Sequence, residues 1–207
     1  MPSSPHEDEK EAAAEAALPL IRDGMHVGLG TGTTVDHLLP LLPGHAHDVT
    51  YVASSPRTAR TASNLGLTLR PFEKFDRLDL TIDGADQVAP DRWLVKGGGG
   101  AHTREKILAA AAERFVVIVS ADKLVDELHP PIPLELLAFG LDATLRALTP
   151  TLLRPVPASP DGGLIADYHG PINDPGALAA RLSSTAGVIE HGLFPPELVT
   201  EILVARW

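Results

Sequence analysis

The sequence predicts an α/β fold, in which a Rossmann-like, mostly parallel sheet with helices on both faces is joined to a smaller α+β domain. Short apolar runs alternate with helix-like segments up to about residue 123, the pattern of a parallel sheet covered by helices. The pattern stops at HPPIPLELLAFG, which brings three prolines, and the late run TEILVAR again predicts a strand, one that returns to the first sheet. We therefore predict an α/β domain over 1–129, completed by a strand at about 197–207, and a small α+β domain over 130–196.

The first predicted element is a helix that runs to about Ile21. Ser4 is expected to be its N-cap, Pro5 its first residue, and Glu7 the partner that completes a capping box. Strands are then predicted in HVGLG, VTYVAS, LDLTI, WLVK and RFVVIVS, and helices in TTVDHLLPLL, SPRTARTASNLG and AHTREKILAAAAE. Beyond residue 130 we expect a helix in LDATLRALT, strands around LLRPV and GLIADYH, and a helix that Asp174 caps and Pro175 opens.

Composition excludes several classes of protein. The 207 residues are 44% hydrophobic, enough for a substantial core, and the formal charge of −10 argues against a nucleic-acid binder or a basic membrane-surface protein. The chain has no cysteine, which rules out a disulfide scaffold and a thiolate metal site and fits a cytoplasmic location. The N-terminal stretch is acidic and Ala-rich, unlike a signal peptide, so we expect a protein without a leader or a membrane span.

Four loops follow predicted strands: GLGTGTT, SSPRT, DGAD and KGGGG. In open parallel sheets, ligands bind in the crevice at the carboxyl ends of the strands. We therefore expect these loops to surround one crevice with hydroxyls, backbone amides, carboxylates and a lysine. Ser54 and Ser55 supply hydroxyls to it, and Gly84 and Ala85 belong to the loop that carries its carboxylates.

The loop GLGTGTT suits a single phosphate better than a dinucleotide. Its glycines allow close backbone approach, and the N–H groups that open the next helix can bind an anion. A P-loop would need a lysine, and a dinucleotide fingerprint would need glycine where Thr33 stands and an acidic residue where Ser54 or Ser55 stands. A purely structural tight turn remains the alternative.

The loops DGAD and KGGGG carry the charged candidates. Asp83 and Asp86 lie three residues apart and can serve as acid and base if their surroundings separate their pKa values; the alternative is an ordinary turn with a capping aspartate. In KGGGGAHTREK, Lys96 ends a strand, the four glycines allow a loop to wrap a small ligand, and Glu105 follows as a candidate base. The alternative there is a flexible hinge before a helix.

No metal site is predicted. The nine histidines are scattered, and the close pair His45 and His47 has no convincing third ligand.

Seven segments together resemble the type A ribose-5-phosphate isomerases over nearly the whole chain. They are GLGTGTT, ASSPRT, LTIDGAD, LVKGGGGAHTREKI, SADK, PIPLEL and GVIEHGLF. The resemblance implies interconversion of ribose 5-phosphate and ribulose 5-phosphate in the non-oxidative pentose phosphate pathway. It also implies that the enzyme uses no metal or nucleotide cofactor and forms a homodimer or homotetramer, with the small domain in the contact.

The resemblance also implies a role for individual residues. Glu105 matches the general base that moves a proton between C2 and C1 through an enediolate. Asp83 and Asp86 match carboxylates at the reacting end, and Lys96 matches the cation near the enediolate oxygens. The remaining matches are substrate contacts: Lys10, Thr31, Gly32, Thr33, Thr34, Gly97, Gly98, Gly99 and Lys123.

Three positions depart from the family pattern. Gln87 stands where the family usually carries glutamate, which removes a charge beside the aspartate pair. SPDGGLIADYH lacks the usual asparagine-containing turn, and SSPRT places Pro56 and Arg57 in the second loop.

Two other functions are compatible with a related fold. One is a sugar-phosphate sensor domain that binds without reacting, like the effector domains of transcription repressors that share a related fold. Those repressors carry a basic helix-turn-helix, for which the acidic N-terminus here leaves no room. The other is a relative of the CoA transferases, which carry the catalytic glutamate on a different loop of a larger chain.

Overall fold

The computed structural model describes residues 5–205, so the predicted N-cap Ser4 lies outside the described residues. The helices are α1 (Pro5–Ala17), α2 (Thr33–Leu38), α3 (Pro56–Asn64), α4 (His102–Ala111), α5 (Leu141–Ala147) and α6 (Pro175–Ser184). The strands are β1 (His26–Leu29), β2 (Thr50–Ala53), β3 (Leu78–Asp83), β4 (Gln87–Val88), β5 (Leu94–Val95), β6 (Ala112–Val119), β7 (Ile132–Leu136), β8 (Thr151–Leu153), β9 (Leu164–Tyr168), β10 (Val188–His191), β11 (Leu193–Phe194) and β12 (Glu201–Val204).

The described chain divides into two compact units. The first unit comprises 5–85, 104–124 and 197–205, and the second comprises 86–103 and 125–196. No helix within residues 5–205 is both long enough and apolar enough to cross a membrane.

The first unit is built on a five-stranded sheet in the order β12-β6-β3-β1-β2. All four neighbouring pairs of strands run parallel, which confirms the predicted parallel sheet. The run TEILVAR returns to it as predicted, because Glu201 to Val204 of β12 pair in register with Val116 to Val119 of β6.

Helices cover both faces of this sheet. Val27 and Leu29 of β1 share one buried cluster with apolar residues of α1 and α2. Side chains alternate across a strand, so Thr81 of β3 points to the opposite face, where its hydroxyl donates a 3.0 Å hydrogen bond to the Leu108 carbonyl of α4. Gly28 is needed here because a Cβ atom would lie 2.3 Å from the Thr81 hydroxyl oxygen.

The second unit contains two antiparallel sheets. One has four strands in the order β10-β7-β9-β8, and the other has three in the order β11-β5-β4. Leu134, Ala166 and Leu182 belong to one buried cluster, so α6 packs on the four-stranded sheet. The predicted cap of α6 is confirmed: the Asp174 carboxylate accepts a 3.0 Å hydrogen bond from the backbone N–H of Ala177.

One predicted strand belongs to a different sheet. WLVK was expected in the parallel sheet, but β5 pairs antiparallel with β4 and β11. Residues 89–93 form a tight turn between β4 and β5, in which Ala89 donates to the Trp93 carbonyl at 3.0 Å. Parallel neighbours need a crossover of about a dozen residues or more, which a turn of this length cannot provide. The glycine loop therefore does not follow a strand of the parallel sheet.

The helix α4 also ends earlier than AHTREKILAAAAE predicts. It stops at Ala111, because Ala112 already pairs with Leu78 as the first residue of β6.

Candidate active site

Asp83 joins two of the predicted loops within the first unit. It ends β3 and is fully buried. Its Oδ1 accepts hydrogen bonds from the backbone N–H groups of Thr31 at 3.1 Å and Gly84 at 2.7 Å. A Cβ atom on Gly30 would lie 1.8 Å from Asp83 Cγ, so only glycine permits this approach. The carboxylate therefore organises the backbone of both loops.

A cluster of hydroxyls lies beside this carboxylate. Thr31 Oγ1 is 2.9 Å from Ser54 Oγ and 3.1 Å from Thr58 Oγ1. Thr58 donates in turn to the Gly30 carbonyl at 2.9 Å, and Ser55 caps α3 by accepting from the Thr58 N–H at 3.1 Å. Sequence reasoning missed Thr58; the available signal was its spacing of three from the N-cap Ser55, which places it in the first turn of α3.

The segment 31–34 includes the start of α2, whose first residue is Thr33. Gly32 adopts φ 158 and ψ 169, a backbone region that is almost exclusive to glycine. Thr33 is exposed at the start of the helix, whereas Thr34 is buried. Arg57, one of the departures from the family pattern, is bound to Asp36 of α2 at 2.8 Å, so its charge is already paired within the first unit.

Glu105 lies in the first turn of α4 and is only 3% exposed. The same helix is fixed to the sheet by the Thr81 to Leu108 hydrogen bond. Gly84 and Ala85, which follow Asp83, are half-buried. The first unit thus buries two of the predicted catalytic carboxylates, Asp83 and Glu105.

The two predicted ligand lysines of the first unit each contact a local carboxylate. Lys10 Nζ lies 2.6 Å from Glu7 Oε1, and His37 lies 2.9 Å from the other Glu7 oxygen. The hydrogen bonds from Lys10 and then His37 hold the pKa of Glu7 below its usual value. Lys123 lies 2.8 Å from Asp122. Burial acts to raise the pKa of Asp122, but hydrogen bonds from Lys123 and Ser120 outweigh it and lower that pKa.

The second unit contains Asp86 and the glycine loop. Asp86 is exposed, unlike Asp83, and its Oδ2 accepts a 2.8 Å hydrogen bond from the Gly98 N–H. A Cβ atom on Gly98 would lie 2.9 Å from Asp86 Oδ1. The two aspartates of DGAD therefore occupy different surroundings, the condition under which a carboxylate pair can divide acid and base roles.

Lys96 is 2% exposed, which is rare for a lysine. Its Nζ lies 5.4 Å from the centre of the Phe194 ring, within the range of a cation–π contact. Its backbone N–H donates to the Gly192 carbonyl at 2.8 Å, which fixes the residue that precedes the glycine loop.

The glycine loop has a defined conformation. Gly97 has φ 105, and a Cβ atom there would lie 2.6 Å from Nδ1 of the fully buried His102. Gly100 has φ 71 and donates to the Gly97 carbonyl at 3.0 Å. Gly98 and Gly99, between them, are exposed. In this structure the loop therefore forms a turn that is closed by a hydrogen bond between its first and last glycines.

Two further side chains of the second unit were missed by sequence reasoning. Arg154 donates to the carbonyl oxygens of Gly97 and Gly98, both at 3.0 Å. Glu135 is buried and accepts hydrogen bonds from Thr103, in the first turn of α4, and from Ser159. The signal for each was a charged residue inside an apolar run, LLRPV and PIPLEL respectively.

Gln87 points toward the backbone of His129. Its amide nitrogen donates to the His129 carbonyl at 2.8 Å, and its amide oxygen accepts from the His129 N–H at 2.8 Å. This pairing needs both a donor and an acceptor, which a glutamate carboxylate cannot supply. The departure from the family pattern is therefore accommodated by a structural contact.

Among the described residues, one group of His, Asp and Glu side chains has metal-like spacing. It consists of His6, Glu9 and Asp122, whose ligand atoms lie within 4.8 Å of one another. Glu9 also accepts from the Ala121 N–H at 2.9 Å, and Asp122 accepts from Ser120. These contacts give the cluster a structural role in joining α1 to the segment 120–123. His45, from the pair considered in the sequence, instead contacts the Leu18 carbonyl at 2.7 Å.

Comparison with known proteins identifies relatives across nearly the whole chain. A family model described as ribose 5-phosphate isomerase A (phosphoriboisomerase A) matches residues 50–207. Ribose-5-phosphate isomerase A of Rhodopseudomonas palustris strain HaA2 is 45% identical over 91% of this chain and 90% of its own.

Solved structures give the same result. Ribose 5-phosphate isomerase A from Neisseria gonorrhoeae superposes with a TM-score of 0.92 at 28% identity, covering 97% of this chain and 93% of its own. A D-ribose-5-phosphate isomerase in complex with phospho-erythronic acid superposes with a TM-score of 0.90 at 32% identity, covering 97% and 96%.

Proposed function

Because this chain belongs to the ribose 5-phosphate isomerase A family of enzymes, we propose that it interconverts D-ribose 5-phosphate and D-ribulose 5-phosphate through an enediolate. The observation that carries the proposal is Glu105, a nearly fully buried carboxylate in the first turn of α4, which the sequence resemblance matches to the general base of the family. We place the reaction in the non-oxidative pentose phosphate pathway and the protein in the cytoplasm.

In this mechanism Glu105 removes the proton from C2 of the open-chain aldose and returns it to C1. The C2–H electrons form the enediolate double bond, and the ketone forms at C2 when C1 is protonated. Burial of Glu105 supports this role, since exclusion of bulk water strengthens the electrostatic interactions between a base and its substrate.

Lys96 stabilises the negative charge that develops on the enediolate oxygens. A sugar C2 proton is only weakly acidic, so a base alone gives little rate without a positive or hydrogen-bonding partner. Lys96 is buried and held by its neighbours, and a cation of this kind needs little reorganisation as charge develops.

Asp83 and Asp86 act at the hydroxyl groups in ring opening and in proton transfer between O2 and O1. Their different burial supports a division of labour between the two carboxylates. The backbone of Gly97, Gly98 and Gly99 provides the remaining contacts at this end of the substrate.

Thr31, Gly32, Thr33 and Thr34 bind the phosphate, with Ser54 and Ser55 adjacent and Lys10 and Lys123 supplying positive charge. The hydroxyl cluster supports this assignment, because hydroxyls and glycine amides are neutral donors suited to a phosphate. The complex of a structural relative with phospho-erythronic acid adds support. That ligand combines a phosphate with a planar carboxylate, whose two oxygens resemble those of an enediolate.

We further propose that the small domain over 130–196 joins copies of this chain. Several apolar side chains of the second unit are exposed: Leu137, Phe139, Leu152, Leu153 and Ile189. Leu152 and Leu153 lie on β8, which is an edge strand of its sheet. Exposed apolar groups on a strand edge favour pairing with another chain, and a second copy is the occupant we propose.

The direct test is to mix the purified chain with ribose 5-phosphate and to measure ketose formation with and without a chelator. We expect turnover in both samples and a loss of at least about 10³-fold in kcat for Glu105→Gln. Glu73→Gln, at an exposed position of the same unit, is the matched control and should retain wild-type kcat.

Three outcomes are informative. Absence of turnover by the folded wild-type chain contradicts the proposed reaction, and binding of ribose 5-phosphate without turnover favours a sensor instead. Near-normal activity of Glu105→Gln removes Glu105 from its role. In deuterated water, the active enzyme should incorporate solvent deuterium at C1 of the ketose, and Glu105→Gln should not.

A further inference from the structure

We propose that Arg154 is a positioning residue for the reaction, because it holds the peptide between Gly97 and Gly98 in the orientation that places the carboxylate of Asp86. The inference rests on the proposed function, since it takes Asp86 to act on the substrate. Every contact that carries it lies within the second unit.

The guanidinium of Arg154 is itself fixed in place. Its Nε and Nη2 donate to the two carboxylate oxygens of Asp167 on β9, each at 2.6 Å. Both side chains are more than four-fifths buried. A two-pronged Arg–Asp pair of this kind restricts the plane as well as the position of the guanidinium.

The remaining nitrogen of Arg154 points at the glycine loop. Nη1 donates to the carbonyl oxygens of Gly97 and Gly98, both at 3.0 Å. Glycines lose more conformational freedom on folding than other residues, so this loop needs external contacts to keep one conformation. Arg154 supplies two of them at adjacent carbonyls.

The same peptide reaches Asp86 on its other side. The C=O and N–H groups of a trans peptide point in opposite directions within one plane. With the Gly97 carbonyl bound to Arg154, the Gly98 N–H is directed away from it, and this N–H lies 2.8 Å from Asp86 Oδ2. One rigid peptide thus connects the arginine to the carboxylate.

Asp86 depends on this contact because it is exposed. An exposed aspartate has several accessible rotamers, and the Gly98 N–H selects the one in which Oδ2 faces the loop. Misplacement of a reacting group by about 1 Å can lower a rate by about 10²-fold. Loss of Arg154 should therefore act on kcat through Asp86.

The planar fork of arginine is required for this arrangement. The planar guanidinium of Arg154 makes four hydrogen bonds, two to a carboxylate and two to carbonyls. A lysine ammonium is a point charge with three donors and cannot reproduce that fork. Arg154→Lys should therefore restore only part of the activity lost in Arg154→Met.

The decisive experiment is a double-mutant cycle in kcat with Arg154→Met and Asp86→Asn. We expect Arg154→Met to lower kcat by about 10²-fold with KM changed by less than about threefold. In the Asp86→Asn background the same change should add less than about twofold, because its effect passes through Asp86. The inference is overturned if the reduction of kcat in the double variant equals the product of the two single reductions. That result would mean that Arg154 acts independently of Asp86, as a residue with a role in stability alone would. Arg146→Met, an exposed arginine of the same unit, should leave kcat unchanged.

A second measurement does not depend on catalysis. Hydrogen exchange of the segment 97–100 should be faster in Arg154→Met than in the wild type and in Arg146→Met, and equal rates overturn the inference. If Arg154→Met does not fold, Asp167→Asn removes the carboxylate that fixes the Arg154 guanidinium. This variant should then give the same non-additive loss of kcat and the same faster hydrogen exchange. Failure of the wild type to isomerise ribose 5-phosphate contradicts the proposed function alone, and the exchange measurement still decides whether Arg154 orders the loop.

Discussion

The backbone N–H of Thr31 donates a 3.1 Å hydrogen bond to Oδ1 of Asp83. Thr31 belongs to the loop proposed to bind phosphate, and Asp83 is a carboxylate proposed to act at the other end of the sugar. The two meet because β1 and β3 are neighbouring parallel strands, whose carboxyl ends lie together. A change that moves the loop should therefore also move the carboxylate.

Gly30→Ala tests this relationship. The new Cβ atom would overlap the Asp83 carboxylate, 1.8 Å from its Cγ, so we expect kcat to fall by about 10²-fold. Overpacking should also cost about 1–3 kcal/mol of unfolding free energy, measured by urea denaturation. Gly24→Ala is the control, because Gly24 has φ 77 but a Cβ atom there would meet nothing within 4 Å, and this variant should lose stability while keeping kcat. Wild-type kcat in Gly30→Ala would show that the position of Asp83 does not matter.

Gly98→Ala and Gly100→Ala should separate activity from stability. The Gly98 substitution places a Cβ atom 2.9 Å from Asp86 Oδ1 and should lower kcat by about tenfold or more. The Gly100 substitution requires an alanine at φ 71, which costs about 1–2 kcal/mol of stability, but its Cβ meets only Ile165, at 3.4 Å. We expect the milder kinetic effect at Gly100. Steady-state kinetics and urea denaturation of both variants check this, and the reverse ranking in kcat would place the substrate contact at Gly100.

Gln87→Glu should destabilise the protein without improving catalysis. The carboxylate cannot donate to the His129 carbonyl, which lies 2.8 Å from the glutamine amide nitrogen. Loss of that hydrogen bond, together with repulsion between the new carboxylate oxygen and the His129 carbonyl oxygen, should lower the unfolding free energy by about 1–3 kcal/mol. Thermal and urea denaturation measure the loss. Unchanged stability with a higher kcat would instead indicate that residue 87 acts on the substrate.

Acid should weaken the fold through Glu7. The hydrogen bonds from Lys10 and His37 lower its pKa below the usual 4.5, so the folded state favours the charged form. This stabilisation is present above the unfolded-state pKa of about 4.5 and is lost as the pH falls through the lower folded-state value. In urea denaturation at decreasing pH, the unfolding free energy of Glu7→Gln should fall less steeply than that of the wild type. Glu11→Gln, at an exposed position of the same helix, should follow the wild type.

Phe139→Asp should lower the molar mass in solution. Phe139 is 93% exposed in the second unit, where an apolar contact between copies is proposed. Light scattering coupled to gel filtration should find an oligomer for the wild type and a smaller species for the variant. Leu124→Asp, at an exposed apolar position of the first unit, should keep the wild-type mass. A monomeric wild type would contradict the proposal.

The spacing of apolar residues predicted most of the strands and helices of the first unit. Alternating apolar runs predicted the strands around Val27 and Val117. In the second unit, Asp174 was predicted as the cap of α6, because a capping side chain bonds to a backbone N–H only a few residues away. The run WLV was misassigned because three apolar residues indicate a strand but carry no information on its partner. Its direction is decided by the turn at 89–93, whose length is compatible only with an antiparallel neighbour.

The candidate site was predictable where charged residues and glycines lie close together in the sequence. Glu105, Lys96 and the glycines stand together in one segment, and the family resemblance assigned them roles. Arg154 could not be found in this way, because it acts on carbonyls more than 50 residues away and pairs with Asp167 through the register of β8 and β9. The charged residue within LLRPV signals a polar contact, but the partners of Arg154 follow from tertiary structure, which a local pattern does not encode.

The parallel pairing of β12 with β6 also has a consequence for protein synthesis. Residues 125–196 leave the ribosome after β6 and before β12, so one edge of β6 stays unpaired while the whole intervening segment is made. Phe115 to Val119 are buried in the finished protein, and an unpaired strand of this composition is a template for association with other nascent chains. Pairing with Glu201 to Val204 removes that template, so we expect closure of the sheet to be a late step before which the chain is prone to aggregation.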